Sequence, residues 1–310
     1  MAEQTEPTKT SEFSGFLTPE MAEPYFEAAR KSSVVQQLVR RVPLGIAGNS
    51  IPYTTAKPVA TWVDEAGRKP TTSGGKGLKT IQPKKLACIT VVSAEVVRAN
   101  PGGYMEDIKA DIGEAFAIAF DAATLHGTNS PFGANNFIAA TSKTATLGSN
   151  GPEDGGAYAD LNDALAQLVQ GTPKHRLTGF AFDDSTEPIF NASVDTTGRP
   201  LFALDPHTDN AETVYQGRML RRRTVMGDGI ADEEIVGFGG DWSHAIWGTL
   251  GGISYDVSTQ ATVTIDGELT SLWEHNLMAV RAEAEYGWLV NDTDAFVKFD
   301  VAGEDPNPSP

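Results

Sequence analysis

The sequence predicts an α+β chain, and three stretches carry that reading. "YMEDIKADIGEAFAIAFDAATLHG" repeats its apolar residues at helical spacing, with Ile108, Ile112, Ala115, Phe116, Ala119 and Ala123 on one face and Gly127 placed to end it. "NLMAVRAEAEYGW" alternates as a strand does: Met278, Val280, Ala282, Ala284, Tyr286 and Trp288 point one way, Ala279, Arg281, Glu283 and Glu285 the other. Two strand-like segments, 51–64 and 86–97, flank a flexible basic excursion, "EAGRKPTTSGGKGLKTIQPKK".

Taken in order, "MAEQTEPTKTSEFSG" is polar and without periodicity, which reads as a loose tail. "TPEMAEPYFEAARKSSVVQQLVRRV" follows as a short helical or extended arm, with Thr18 as N-cap and Pro19 in the first position. Residues 51–64, "IPYTTAKPVATWVD", have strand composition, but Pro52 and Pro58 suit an edge or isolated strand. With the return strand 86–97 they predict a projecting hairpin with a long tip. Between Glu65 and Thr80 the only good core residue is Leu78. Ordering about 16 residues costs roughly 1–2 kcal/mol each, while burying one leucine returns only about 1.5–3 kcal/mol. Within a lone subunit this segment is expected to be loose and to be ordered by something outside its own domain.

Beyond the long helix, "YADLNDALAQLVQG" places Leu161, Ala164, Leu165 and Leu168 on one face of a second helix. "LTGFAFD" is a short strand turning at Asp183 and Asp184, and "EEIVGFGGDWSHAIWG" reads as a strand pair. "EDPNPSP" is a disordered tail, and no internal repeat is visible.

The chain has 310 residues, 40% of them apolar and 21% charged, which is the balance of a globular protein with a real core. The single cysteine, Cys88, has no internal disulfide partner and lies in an apolar strand, where it reads as a small buried side chain. No signal-like segment and no run of 18 apolar residues occurs, so synthesis in a cytosol and no membrane partner are expected. Net charge is -17, which argues against a nucleic-acid-binding domain as such. Its distribution is uneven: net -4 over residues 1–30, +8 over 31–100 and -21 over 101–310. A basic segment on an acidic body suits contact between one copy's positive part and another's negative part.

The search for chemistry returns little. The five histidines, His126, His175, His207, His244 and His275, show no metal-ligand spacing. "DPHTDN" places Asp205, His207 and Asp209 together in what reads as a solvated loop. "SGGKG" resembles a phosphate loop, but Gly77 replaces the required Ser/Thr and Pro70 the first glycine. No nucleophile elbow is present. The dense basic cluster Arg221, Arg222 and Arg223 could touch a nucleic-acid backbone; a salt-bridge site between subunits or a solvated face suits its acidic context better. No cofactor and no catalytic residue is expected.

Several segments, in order, resemble the major capsid proteins of tailed bacteriophages, the Hong Kong phage 97 type. "GFLTPE" at 15–20 is similar to the start of that family's arm, 52–85 to its extended loop, 103–127 to its spine helix and "HGTNSPFGANNF" to the glycine-rich segment that follows. "TGRPLF" and "FGGDWSHAIWGTLGGISYDVS" resemble segments entering and leaving the axial domain, and "EHNLMAVRAEAEYGWLVNDTDAFVKF" the closing strand and return.

The resemblance implies an arm over 1–50, an extended loop over 51–90, a peripheral domain over 91–130 and 255–290, an axial domain over 131–254, and a return with a disordered tail over 291–310. It implies a structural subunit forming the hexamers and pentamers of an icosahedral head around double-stranded DNA. Implied partners are other copies of itself, a separate scaffolding protein, a portal protein and a decoration protein. Arg68, Lys69, Lys76, Lys79, Arg221, Arg222 and Arg223 become candidates for contact with neighbouring copies, and Ile108, Ile112, Phe116, Val280 and Tyr286 the expected core of the peripheral domain. Lys69, Lys76 and Lys79 also stand where a better-known member crosslinks its subunits, although no acceptor is identifiable here. Two other readings remain open: a non-viral compartment shell of the same fold, and a soluble α/β enzyme.

Overall fold

The computed structural model describes residues 33–65, 67–99, 103–151, 154–194, 201–202, 215–227, 229–232 and 234–301. In chain order its first half holds α1 (Val34–Leu38), β1 (Arg40–Pro43), β2 (Asn49–Ala56), β3 (Gly75–Ile81), β4 (Lys84–Ser93), α2 (Ala94–Ala99), α3 (Tyr104–Asp121), β5 (Thr144–Leu147) and α4 (Gly156–Gln170). There follow β6 (Gly179–Asp183), α5 (Glu187–Asn191), β7 (Tyr215–Met219), β8 (Arg222–Gly227), β9 (Ile235–Gly240) and β10 (Ala245–Thr249). The chain closes with β11 (Ser254–Ser258), β12 (Thr262–Ile265), β13 (Glu268–Ser271), β14 (Leu277–Val290) and β15 (Phe296–Val301).

Two sheets organise these elements. β14 is the centre of the first: β4 pairs along one edge, from Leu277 opposite Ser93 to Tyr286 opposite Lys84, and β11 and β10 occupy the other, with β1 parallel to β10 outside them. The second sheet runs β5-β15-β9-β6-β8-β7. Its central strand β6 is buried at every residue, as a strand covered on both faces must be.

Each face of the first sheet is covered differently. Ile108, Ile112 and Phe116, four residues apart on α3, form one buried cluster with Val92, Val96, Ala282 and Ala284, and Tyr286 packs at its margin. Val280 lies on the same side of β14 and is 3% exposed. The opposite side carries charge only at Arg281, Glu283 and Glu285. At its start, Leu277 and Ala279 are buried with Leu272 against the β12–β13 hairpin, and the face opens to solvent from Arg281 onward. Cys88 is half-buried beside the α3 cluster rather than fully buried.

A second cluster fills the space between α4 and the six-stranded sheet, with Leu161, Ala164 and Leu168 facing Phe180, Phe182, Val297 and Phe299. A third joins the two sheets: Phe120, Trp247 and Trp288 from one side meet Ala181, Phe238, Trp242 and Phe296 from the other. α3 passes through a single π-helical turn, Ala122–His126, and stops at Gly127 with φ of 78°. A side chain there is excluded twice, since its Cβ would also stand 2.6 Å from the Phe137 ring.

Other expectations change as well. The return strand of the hairpin is Gly75–Ile81, not 86–97; Pro52 stands opposite Leu78 and Tyr53 opposite Gly77, while 84–93 pairs with β14. β-pairing within the chain therefore orders part of a segment expected to be loose, and the tip shrinks to residues 57–74. Residues 33–44 are anchored in the subunit: Val34, Val35 and Val39 are buried in the cluster joining the sheets, and the Asp121 carboxylate accepts from the Ser33 hydroxyl at 2.6 Å and the Val34 N–H at 2.7 Å. Thr18 and Pro19 lie outside the described residues, as do "DPHTDN" and the tail after 301. Finally, β9 and β10 are not a pair. The chain leaves the six-stranded sheet at Gly240 and enters the five-stranded one at Ala245, so it passes from one sheet to the other over 241–244.

Candidate assembly interface

The β2–β3 hairpin is two-stranded, so its side chains divide cleanly between two faces. Asn49, Ile51 and Tyr53 share one face with Gly77, Lys79 and the buried Ile81, which turn toward the body of the subunit. Ser50, Pro52, Thr54, Lys76, Leu78 and Thr80 are exposed on the other. The Tyr53 ring lies over Gly77, where an added Cβ would come within 2.6 Å of it and displace the ring.

Lys79 is engaged inside its own chain. Its ammonium donates to the carbonyls of Asn291 at 2.5 Å and Val290 at 3.4 Å and stands 5.5 Å from the Tyr53 ring centre. Arg68 and Lys69, in the tip, and Lys76, on the outer face, are exposed, and no ion pair forms at any of them among the described residues. Apolar groups accompany them into solvent: Trp62 is 103% exposed, Leu78 71% and Val59 67%. Three large apolar side chains exposed on one projecting hairpin stand out, because apolar residues are normally exposed singly and exposed apolar patches accompany interaction surfaces.

The arginine triplet occupies a second hairpin. β7 and β8 are joined by Leu220 and Arg221, with φ of 47° and 60°, the left-handed pair that a two-residue hairpin turn needs. Arg218 stands directly opposite Arg223, a like-charge pair that weakens a sheet unless an anion lies nearby. Arg223 donates to the Gln37 carbonyl at 2.8 Å. Arg176, Arg218, Arg221, Arg222 and Arg223 together line an open cleft of about 630 Å³ floored by Leu165, Val169 and Leu177. Arg218 joins the triplet through the local β7–β8 hairpin, whereas nothing in the sequence signalled that Arg176, far earlier in the chain, would line the same cleft.

Two packed sheets, a long helix lying on one of them and a hairpin projecting with its apolar side chains bare define a shell protein of the Hong Kong phage 97 type. Solved chains of the same fold include one from Gordonia phage Cozz, with a TM-score of 0.73, 22% identity and coverage of 95% of this chain and 94% of that one. The capsid of a native GTA particle superposes with a TM-score of 0.62 and 16% identity over 95% of this chain and 98% of that one. The chain matches the phage capsid family over residues 14–301. It is 42% identical to the probable major capsid protein gp17 of Mycobacterium phage L5, covering 94% of this chain and 91% of the relative. Its identity to the counterpart in Mycobacterium phage D29 is 41%, over 92% and 90%. The chain belongs to the phage capsid family, and its role is structural, in a virion shell built from many subunits.

Proposed function

We propose that this chain is the major shell subunit of a tailed-phage head, forming hexamers and pentamers around double-stranded DNA, with the β2–β3 hairpin as the clasp that seats on a neighbouring copy. The observation that carries this reading is the bare apolar surface of the hairpin, Trp62 above all, which has no use in a lone subunit. Arg68, Lys69 and Lys76 on the hairpin, and Arg221, Arg222 and Arg223 on the second, then meet the acidic surface supplied by residues 101–310, which carry net -21.

In this reading the six-stranded unit is the axial domain and the five-stranded unit with α3 is the peripheral domain. A separate scaffolding protein, a portal and a decoration protein complete the assembly, which takes place in the cytoplasm of a bacterial host. The subunit acts by packing and not by catalysis. The identity to mycobacteriophage relatives favours a viral shell over a compartment shell that encloses an enzyme.

The test is to purify heads from infected cells and to image and digest them. This chain is expected as the most abundant shell component, with residues 57–74 protected from protease in the shell and cut in the free subunit. Intact heads lacking the chain overturn the assignment. Equal cleavage in both forms overturns the clasp.

A further inference from the structure

Where the chain passes between the two sheets, three segments far apart in sequence converge. His175 lies in the connection from α4 to β6, His244 at the end of the 3-10 turn Trp242–His244 between β9 and β10, and Asp292 directly after β14. Each offers one ligand atom, and these atoms all lie within 4.8 Å of one another. The His175 side chain is 5% exposed, and its Nε2 is 3.3 Å from Asp292 Oδ2. Two donors bound tetrahedrally to one zinc ion, each at about 2.0–2.1 Å, stand about 3.3 Å apart. The spacing of that pair is already the edge of such a site.

The remaining valences agree. Asp292 Oδ1 is occupied, accepting the Asp294 N–H at 3.0 Å, which fixes the carboxylate and leaves Oδ2 turned to His175. His175 Nε2 and His244 Nδ1 are both buried with no hydrogen-bond partner. Buried polar nitrogens are normally satisfied, so two such atoms in one cluster indicate that something is missing between them. The imidazole rings are 5.0 Å apart and perpendicular, an arrangement that brings a ring edge, not two stacked faces, toward the shared space.

We propose that His175, His244 and Asp292 form a binding site for a divalent transition-metal ion of the zinc class. Two imidazoles and one carboxylate suit zinc and its first-row neighbours and are poor ligands for magnesium or calcium, which prefer all-oxygen shells. With three protein ligands, water takes the fourth position. The role is structural: the ion ties the entry to β6, the crossover at 241–245 and the exit of β14, so it fixes the angle between the sheets at the points where the chain changes from one to the other.

The experiment uses the full-length purified subunit, stripped with chelator and then titrated with Zn²⁺, Co²⁺ or Mg²⁺ alone. One equivalent of Zn²⁺ is expected to raise Tm by several degrees, Co²⁺ to give the visible bands of a four-coordinate site, and Mg²⁺ to do neither. Asp292→Asn keeps the oxygen that accepts from Asp294, and His244→Gln alters a partly exposed side chain, so both variants are expected to fold. Each is expected to lose at least about tenfold in Zn²⁺ affinity and to lose the cobalt bands. No metal-dependent shift in the parent overturns the proposal, and so does a double variant that retains parental affinity, since the metal then sits elsewhere. Because the readouts come from the free subunit, failure of this site leaves the shell assignment standing.

Discussion

Replacing Trp62 by alanine separates the stability of the subunit from that of the shell. The side chain is fully exposed in the single chain, so its removal is expected to move the Tm of the unassembled subunit by no more than a degree or so. A tryptophan carries roughly 150–250 Å² of buriable surface, worth about 4–6 kcal/mol at about 25 cal/mol per Å². Partial burial and the methyl left by alanine reduce this to about 2–3 kcal/mol per subunit. At about 1.4 kcal/mol per factor of ten, the protein concentration needed for assembly rises roughly 30- to 140-fold. The assay pairs thermal unfolding of the free subunit with particle yield, by light scattering and negative-stain imaging, across a concentration series. Assembly of Trp62→Ala at the parental concentration refutes the argument that this surface is covered by a neighbour. A large fall in subunit Tm refutes it differently, by showing that the side chain packs within its own chain.

Three further outcomes follow from the geometry. Val280→Asp buries an unpaired charge on the α3 side of β14 and is expected to cost several kcal/mol, seen as insoluble protein or a loss of protease resistance; parental stability would mean that position is not sealed. Lys76→Glu, on the outer face of the hairpin, is expected to leave subunit Tm unchanged while lowering particle yield and raising its salt sensitivity; Lys79→Glu removes the donor to Val290 and Asn291 and is expected to lower subunit Tm as well, and the two differing in the opposite sense would reverse the assignment of faces. Burial raises Asp121 from the ordinary 3.8 to about 7, against the hydrogen bonds from Ser33, Val34 and Val35. The folded state therefore holds a proton that the unfolded chain releases, and this contribution is full below about pH 4 and is lost as pH rises toward 7. Asp121→Asn, neutral throughout, is expected to flatten the fall in Tm between pH 4.5 and 7.5, and an unchanged slope would show that Asp121 does not titrate there.

The local periodicities were legible before any fold was known, because each is written by the residues that obey it. Ile108, Ile112 and Phe116 recur at four-residue intervals whatever they pack against, and the even residues of 278–288 mark a buried face. The uneven charge also belongs to the sequence, as does the resemblance that named a shell, whereas the exposure of Trp62 was supplied by the structure. Partner choice does not, since a strand's pattern states which face is apolar and never which edge it joins. Residues 75–81 and 86–97 both follow the same segment, and only in three dimensions does Ile81 enter the core and commit Gly75–Ile81 to β2 while 84–93 runs along β14. The apparent pair β9 and β10 was split between sheets for the same reason. His175, His244 and Asp292 are separated by dozens of residues and carry no spacing signal, and Arg176, far earlier in the chain, reaches the arginine triplet only in three dimensions. Contacts within one turn or one strand are fixed by short-range sterics and can be read from the chain; contacts that close long loops depend on the whole core being formed, and there the tertiary structure decides.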